Sequence, residues 1–354
     1  MKVTLQQAAT LVQTCGHTNT FLLRGAPGIG KSSILTSLAR HMPDYHPAYI
    51  DCANLDLGDL GLPIIDRPAH AIPTTTYAPN VRFGAHQPRP VLIMLDELGK
   101  ASRPVLNMLL PVILERRLGD HPLPPGSIVF ATTNLDTDGV GDNIPAHAYN
   151  RMTVLPIANP TAEEWINWAT SSPHNAIAAE VLAFAQEYSQ VFECYADDPT
   201  TKNPYIFNPL NNQTRAFCSP RSLAHASHII THRHTLGEAT LPALIGTVGE
   251  SAARDMDALL RLSDKLPPTE TITEHPDTAP LPPDTASYFI LAFRLAMDTT
   301  RTTIAPVMTY INRWESFEAR ALYITTVAGN RDKAPMACAD SLFRRAASDM
   351  GKYF

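Results

Sequence analysis

The apolar positions of this chain keep two rhythms. In the first 160 residues, short unbroken apolar runs alternate with stretches of helical spacing. Val91-Leu92-Ile93-Met94-Leu95 is apolar throughout, the pattern of a strand covered on both faces in a parallel sheet. Residues 20–24, 47–51, 127–131 and 152–157 are further short runs that read as strands. Residues 4–15, 31–42 and 102–116 read as helices. Ile34, Leu35 and Leu38 share one face of the second, and Val105, Leu106, Leu109, Leu110 and Ile113 recur at helical spacing in the third. Strands alternating with helices predict an α/β fold: a parallel five-stranded sheet with helices on both faces.

After Pro160 the strands stop. Helical spacing covers residues 161–170, 174–194, 220–236 and 240–262, and resumes from about residue 288. Between these lies a segment, 266–286, with six prolines, which reads as a linker. The expected organisation is an α/β core over 1–160, an all-helical lid over 161–265, the linker over 266–286 and a helical C-terminal extension over 287–354. Segments 55–90 and 197–218 resist assignment. The first is rich in Gly and Pro and reads as an inserted loop or hairpin.

Composition narrows the function class. The 354 residues suffice for two or three domains, and 44% are hydrophobic, so a sizeable core can form. The formal net charge is −6, without the basic excess of a non-specific nucleic-acid binder. Five scattered cysteines, none in Cys-x-x-Cys spacing, make neither a disulfide framework nor a zinc cluster. The first residues lack the apolar stretch of a signal peptide, and no run is long and apolar enough for a bilayer. The expectation is a cytoplasmic protein with no membrane partner.

The sharpest chemical signal follows the first strand. Gly25-Ala26-Pro27-Gly28-Ile29-Gly30-Lys31-Ser32 fits the phosphate-loop pattern at every fixed position, and Ser33 continues it. Glycines let the backbone curl so that its N–H groups face phosphate oxygens, and the following helix adds its positive end. Lys31 would meet the β and γ phosphates of ATP, and Ser32 would ligate magnesium. Asp96 and Glu97 follow the apolar strand 91–95, where strand ends of an open parallel sheet line a ligand crevice. Asp96 is the second Mg²⁺ candidate and Glu97 the general base that polarises water.

Together these residues resemble the AAA+ superfamily. The resemblance implies that Asn134, at the end of Phe130-Ala131-Thr132-Thr133-Asn134, orients the attacking water. It makes Arg151, after Ile144-Pro145-Ala146-His147-Ala148-Tyr149-Asn150, the finger that reaches a neighbouring subunit's ATP. Ser219-Pro220-Arg221 resembles the second sensor, with Arg221 on the γ phosphate. The chain is most similar to the MoxR-like, dynein-related branch. Asp59-Leu60-Gly61-Leu62-Pro63 resembles that branch's insert, and Glu115-Arg116-Arg117-Leu118-Gly119-Asp120 its hairpin before the first sensor. Relatives usually carry a polar residue such as Asn soon after the acidic pair; here Leu98-Gly99-Lys100 stand there. The resemblance implies a homo-oligomeric ring, a hexamer, and a protein partner, often one with a von Willebrand factor A domain.

Other features carry less. His225, His228 and His232 share one helical face opposite Leu223, Ala226 and Ile230, which reads as a solvated or intersubunit face in preference to a metal site. Trp165 and Trp168 read as core. Arg116 and Arg117 are secondary candidates for a neighbour's phosphate or for acidic side chains. Three functions compete: an ATP-hydrolysing chaperone or remodelling motor of MoxR type, a nucleic-acid-directed motor or loader, and an ATP-dependent assembly switch.

Overall fold

The computed structural model describes residues 1–67, 72–135, 144–171, 175–210 and 216–350. The chain divides into two compact units, Met1–Asn159 and Pro160–Phe354.

The first unit opens with α1 (Leu5–Cys15), capped reciprocally by Thr4 and Gln7, whose side chains each accept the other's backbone N–H at 3.2 and 3.0 Å. Then come β1 (Phe21–Arg24), α2 (Ser33–His41), β2 (His46–Asp51), β3 (Gly61–Asp66), β4 (Thr74–Pro79), β5 (Val91–Asp96) and α3 (Arg103–Glu115). The unit continues with β6 (Arg117–Leu118), β7 (His121–Pro122), β8 (Ile128–Thr133), α4 (Ala146–Tyr149) and β9 (Thr153–Pro156). Five strands form one parallel sheet in the order β2-β5-β8-β1-β9. The unbroken apolar runs become the inner strands: β5 and β8 are buried at every residue, while the edge strand β2 alternates.

Alternation along the strands divides the core into two layers. On one face Leu22, Ile93, Leu95 and Val129 pack with Val105, Leu109, Val112 and Ile113 of α3. On the other, Phe21, Leu23, Met94 and Phe130 pack with Ala8 and Val12 of α1 and with Ile34, Leu35 and Leu38 of α2. Each such Val, Leu, Ile, Met or Phe side chain, fully buried, contributes about 1.5–3 kcal/mol. The register aligns the strand ends that matter. Asp51 lies beside Asp96, and Arg24 beside Thr133, so the residues that follow β1, β5 and β8 leave the sheet at one edge.

Two antiparallel hairpins interrupt the α/β alternation. β3 and β4 pair with Leu62, Ile64, Ile65 and Tyr77 exposed, and β6 pairs with β7. The His121 ring and the Tyr77 carbonyl are 2.7 Å apart, which ties the two hairpins together. The unassigned segment 55–90 thus holds a hairpin, with residues 68–71 outside the described set.

The second unit is helical: α5 (Ala162–Thr170), α6 (Ala179–Glu187), α7 (Pro220–Thr231), α8 (Arg233–Leu236), α9 (Thr240–Val248), α10 (Glu250–Ser263), α11 (Thr269–Glu274), α12 (Thr285–Asp298), α13 (Ile304–Ile311), α14 (Phe317–Gly329), α15 (Ala334–Ala339) and α16 (Ser341–Met350). Its core includes Phe184, Leu223, Phe293, Tyr310 and Tyr323. The single helix expected over 240–262 is two helices, because Gly249 at φ 87° breaks the run. The helix expected over 174–194 is shorter, ending at Glu187, and residues 172–174 lie outside the described set.

The proline-rich segment 266–286 is more than a bare linker. It carries α11 and buries Ile272 and Ala279 in the same core as the flanking helices. The Tyr310 hydroxyl donates to the Pro280 carbonyl at 2.6 Å, and Arg313 donates to the carbonyls of Pro276 and Ala279 at 2.7 and 2.9 Å. Among the described residues, no helix is long and apolar enough to cross a membrane.

Candidate functional site

The candidate phosphate loop runs from the end of β1 to the start of α2. Gly28 and Gly30 take φ of 75° and 103°, which side-chain-bearing residues adopt at a cost. This curl delays the helix: α2 begins at Ser33, two residues later than its apolar spacing predicts. The Ser33 hydroxyl donates to the Gly30 carbonyl at 2.6 Å and closes the turn. Lys31 is only 7% exposed. Its ammonium donates to the carbonyls of Gly25 and Ala26 at 2.7 and 2.8 Å, and to Asn134 Oδ1 at 3.0 Å. Asn134 follows β8, the neighbour of β1, so the sheet brings two residues 103 positions apart onto one ammonium.

Asp96 ends β5 and is 8% exposed. Hydroxyls surround its carboxylate. Ser32 Oγ donates to it at 3.1 Å, Tyr49 Oη donates to Oδ2 at 2.8 Å, and Thr132 Oγ1 donates to Oδ1. The predicted pair of magnesium ligands, Ser32 and Asp96, is therefore in direct contact. Because the serine gives its proton to Asp96, its lone pairs stay available to a cation. A hydroxyl and a carboxylate are hard oxygen donors, and Mg²⁺ completes its shell with water and phosphate oxygens. The donor set fits that ion.

Glu97 sits at φ 53°, a conformation uncommon for a residue with a side chain. Its N–H donates to Thr132 Oγ1 at 3.2 Å, so one threonine hydroxyl on β8 holds both acidic residues. The Glu97 carboxylate is ion-paired to Lys100 at 2.7 Å, with both side chains about a third exposed. Nothing in the spacing of the acidic pair announces this partner.

The arginines separate into buried and exposed. Arg151, two residues past α4, is exposed, and its guanidinium makes no hydrogen bond or ion pair with the described residues. Part of the stretch that leads to it, 136–143, lies outside the described set. Arg221 is exposed in the first turn of α7, where Ser219 is the N-cap and Pro220 begins the helix. Arg116 departs from expectation as a secondary phosphate partner. It ends α3 at φ 55° and turns its guanidinium inward, donating to Thr20 Oγ1 and the Gly16 carbonyl at 2.9 Å each, and to the Ile113 carbonyl. Burial pushes it down to about 10. Arg117 pairs with Glu115 at 2.8 Å.

Elsewhere, His225, His228 and His232 are exposed, with the rings of the last two 4.7 Å apart. Among the described residues no group of three or more His, Cys, Asp or Glu side chains is placed to hold a metal. Trp165 is buried in the helical core, whereas Trp168 is largely exposed, a departure from the expected paired core.

No protein-family model matches the chain, and no curated protein does. Among solved structures it is similar to the closed state of Hsp104 with ATPγS and FITC casein, at 18% identity and TM-score 0.35 over 47% of this chain and 34% of that one. It is similar to the RuvB Holliday junction branch migration motor of Thermotoga maritima, at 13% identity and TM-score 0.41 over 78% of this chain and 77% of that one. It is also similar to NtrX of Brucella abortus in complex with ADP, at 12% identity and TM-score 0.40 over 98% of this chain and 64% of that one. Such distant likenesses assign no activity. The fold itself is plain: a mixed α/β core on a parallel five-stranded sheet, followed by a helical unit.

Proposed function

We propose that this chain is a P-loop ATPase of the AAA+ type, binding ATP with Mg²⁺ and hydrolysing it to ADP and phosphate. One observation carries the reading. Lys31, Ser32, Asp96, Glu97 and Asn134 stand at or after the ends of three strands, β1, β5 and β8, and meet at one end of the sheet, linked by Lys31–Asn134 and Ser32–Asp96 hydrogen bonds. Phosphoryl transfer asks the protein mainly for positioning and charge. In the proposed site the backbone of Gly25–Ser32 cradles the phosphates, and Lys31 exchanges its carbonyl partners for phosphate oxygens. Ser32 and Asp96 would hold the cation, which would neutralise charge building on the β and γ phosphates. Asn134 orients water beside the γ phosphate, and Glu97 accepts its proton.

A homo-oligomer, with Arg151 completing a neighbour's site, is supported by the exposed Arg151 guanidinium, which has no partner among the described residues. Arg221 is assigned to the γ phosphate on the strength of its motif. A MoxR-type remodelling role, a hexameric ring and a von Willebrand factor A partner rest on the sequence resemblance; the exposed β3–β4 hairpin stands where that branch's insert is expected. A second reading, an assembly switch with slow turnover, is favoured by the Glu97–Lys100 ion pair, which occupies the base.

Calorimetric titration with ATP tests the first step. Lys31→Ala, which removes a charged hydrogen-bond donor, is expected to weaken ATP binding about 10²-fold. Wild-type affinity in the variant would overturn the phosphate-loop assignment.

A further inference from the structure

Tyr49 is half-exposed, and core packing does not explain it. It stands on β2, where the alternate residues Ala48 and Ile50 point into the layer beneath α3. Tyr49 therefore points to the opposite face of the sheet, the face that carries α2 and its N-cap Ser32. More than half of its surface, 52%, stays in solvent, yet its hydroxyl reaches the nearly buried Asp96 carboxylate at 2.8 Å. A phenylalanine here would keep every apolar contact and lose only this hydrogen bond.

We propose that Tyr49 is a positioning residue for magnesium: its hydroxyl fixes the rotation of the Asp96 carboxylate so that the cation site exists before nucleotide arrives. The inference rests on the ATPase reading and adds to it a residue on a strand that the phosphate-loop and acidic-pair motifs do not include. Three hydroxyls divide the labour on Asp96. Thr132 takes Oδ1 from the β8 side, Tyr49 takes Oδ2 from the β2 side, and Ser32 lies across both oxygens at 3.3 and 3.1 Å. A carboxylate held from two flanking strands cannot rotate away when Ser32 turns its lone pairs to the ion. Ligating carboxylates are commonly held this way, and loss of such an outer partner costs about 10–100-fold in metal affinity.

The test is Tyr49→Phe, with a fluorescent ATP analogue titrated in EDTA and then at fixed nucleotide against Mg²⁺. Affinity in EDTA is expected to match wild type, while the Mg²⁺ concentration for half-maximal effect rises about 10-fold. A half-maximal Mg²⁺ concentration within twofold of wild type would overturn the proposal. Equal weakening with and without Mg²⁺ would overturn it as well, by assigning Tyr49 a packing role. If wild type binds the analogue in neither condition, the phosphate-loop reading itself fails, a result distinct from either of these.

Discussion

The two acidic residues at the end of β5 are neighbours in sequence and opposites in environment. Asp96 is nearly buried and held by three hydroxyls from β2, β8 and the phosphate loop. Glu97 is partly exposed, its carboxylate paired with Lys100 on the next turn. The same division runs through the whole site. On the binding side, Lys31 is buried and its ammonium is placed by Gly25, Ala26 and Asn134. On the hydrolytic side, Arg151 stands in solvent with no partner among the described residues. In the proposed reading, the groups assigned to nucleotide and metal are already in mutual contact within one chain, and the group assigned to hydrolysis from a neighbour stands apart from them.

That contrast is sharpened first at Arg151. Arg151→Ala is expected to leave ATP affinity unchanged and to lower turnover by about 10³-fold or more, as loss of an arginine finger does. Phosphate release alongside equilibrium binding checks it, and near-normal turnover would place the finger elsewhere. Glu97→Gln comes next. Removing the general base is expected to slow turnover by about 10²–10⁴-fold while bound ATP persists, read as the ratio of ATP to ADP retained on the protein. The smallest effect belongs to Lys100. An exposed ion pair is worth at most about 1 kcal/mol, so Lys100→Ala is expected to raise turnover by no more than about fivefold, with ATP affinity unchanged. A fall in turnover would mean that the pair holds Glu97 in place for catalysis.

What the sequence disclosed and what it hid follow from range. The inner strands were legible because a strand covered on both faces must be apolar at every residue, as Val91 to Leu95 are. The tight turn at Gly25–Ser32 was legible because its signal is local: glycines, lysine and serine at fixed intervals. Asn134 was placed by resemblance, and the structure puts it on Lys31. Contacts set by strand register were not legible. Tyr49 meets Asp96 because β2 pairs with β5, and Thr132 meets Asp96 and Glu97 because β8 pairs with β5. No spacing within one segment encodes either.

Two features carry more local structure than their residues announce. Arg116 was a secondary candidate for a neighbour's phosphate or acidic side chain, but as the residue that ends α3 at positive φ it folds back onto the last carbonyls of its own helix. The prolines of 266–286 suggested a linker, and carbonyls from that segment are taken up by Tyr310 and Arg313. A proline lacks a donor, not an acceptor, and acceptors are enough to anchor a segment.

If Arg151 completes a neighbour's site, binding is complete within one chain and hydrolysis is not. Bound ATP and released phosphate per chain, measured with Mg²⁺ over a wide range of protein concentration, test this directly. Constant affinity per chain is expected, with phosphate release per chain that climbs with concentration. Release per chain that stays constant as the protein is diluted would contradict it, and would place a finished hydrolytic site in the single chain.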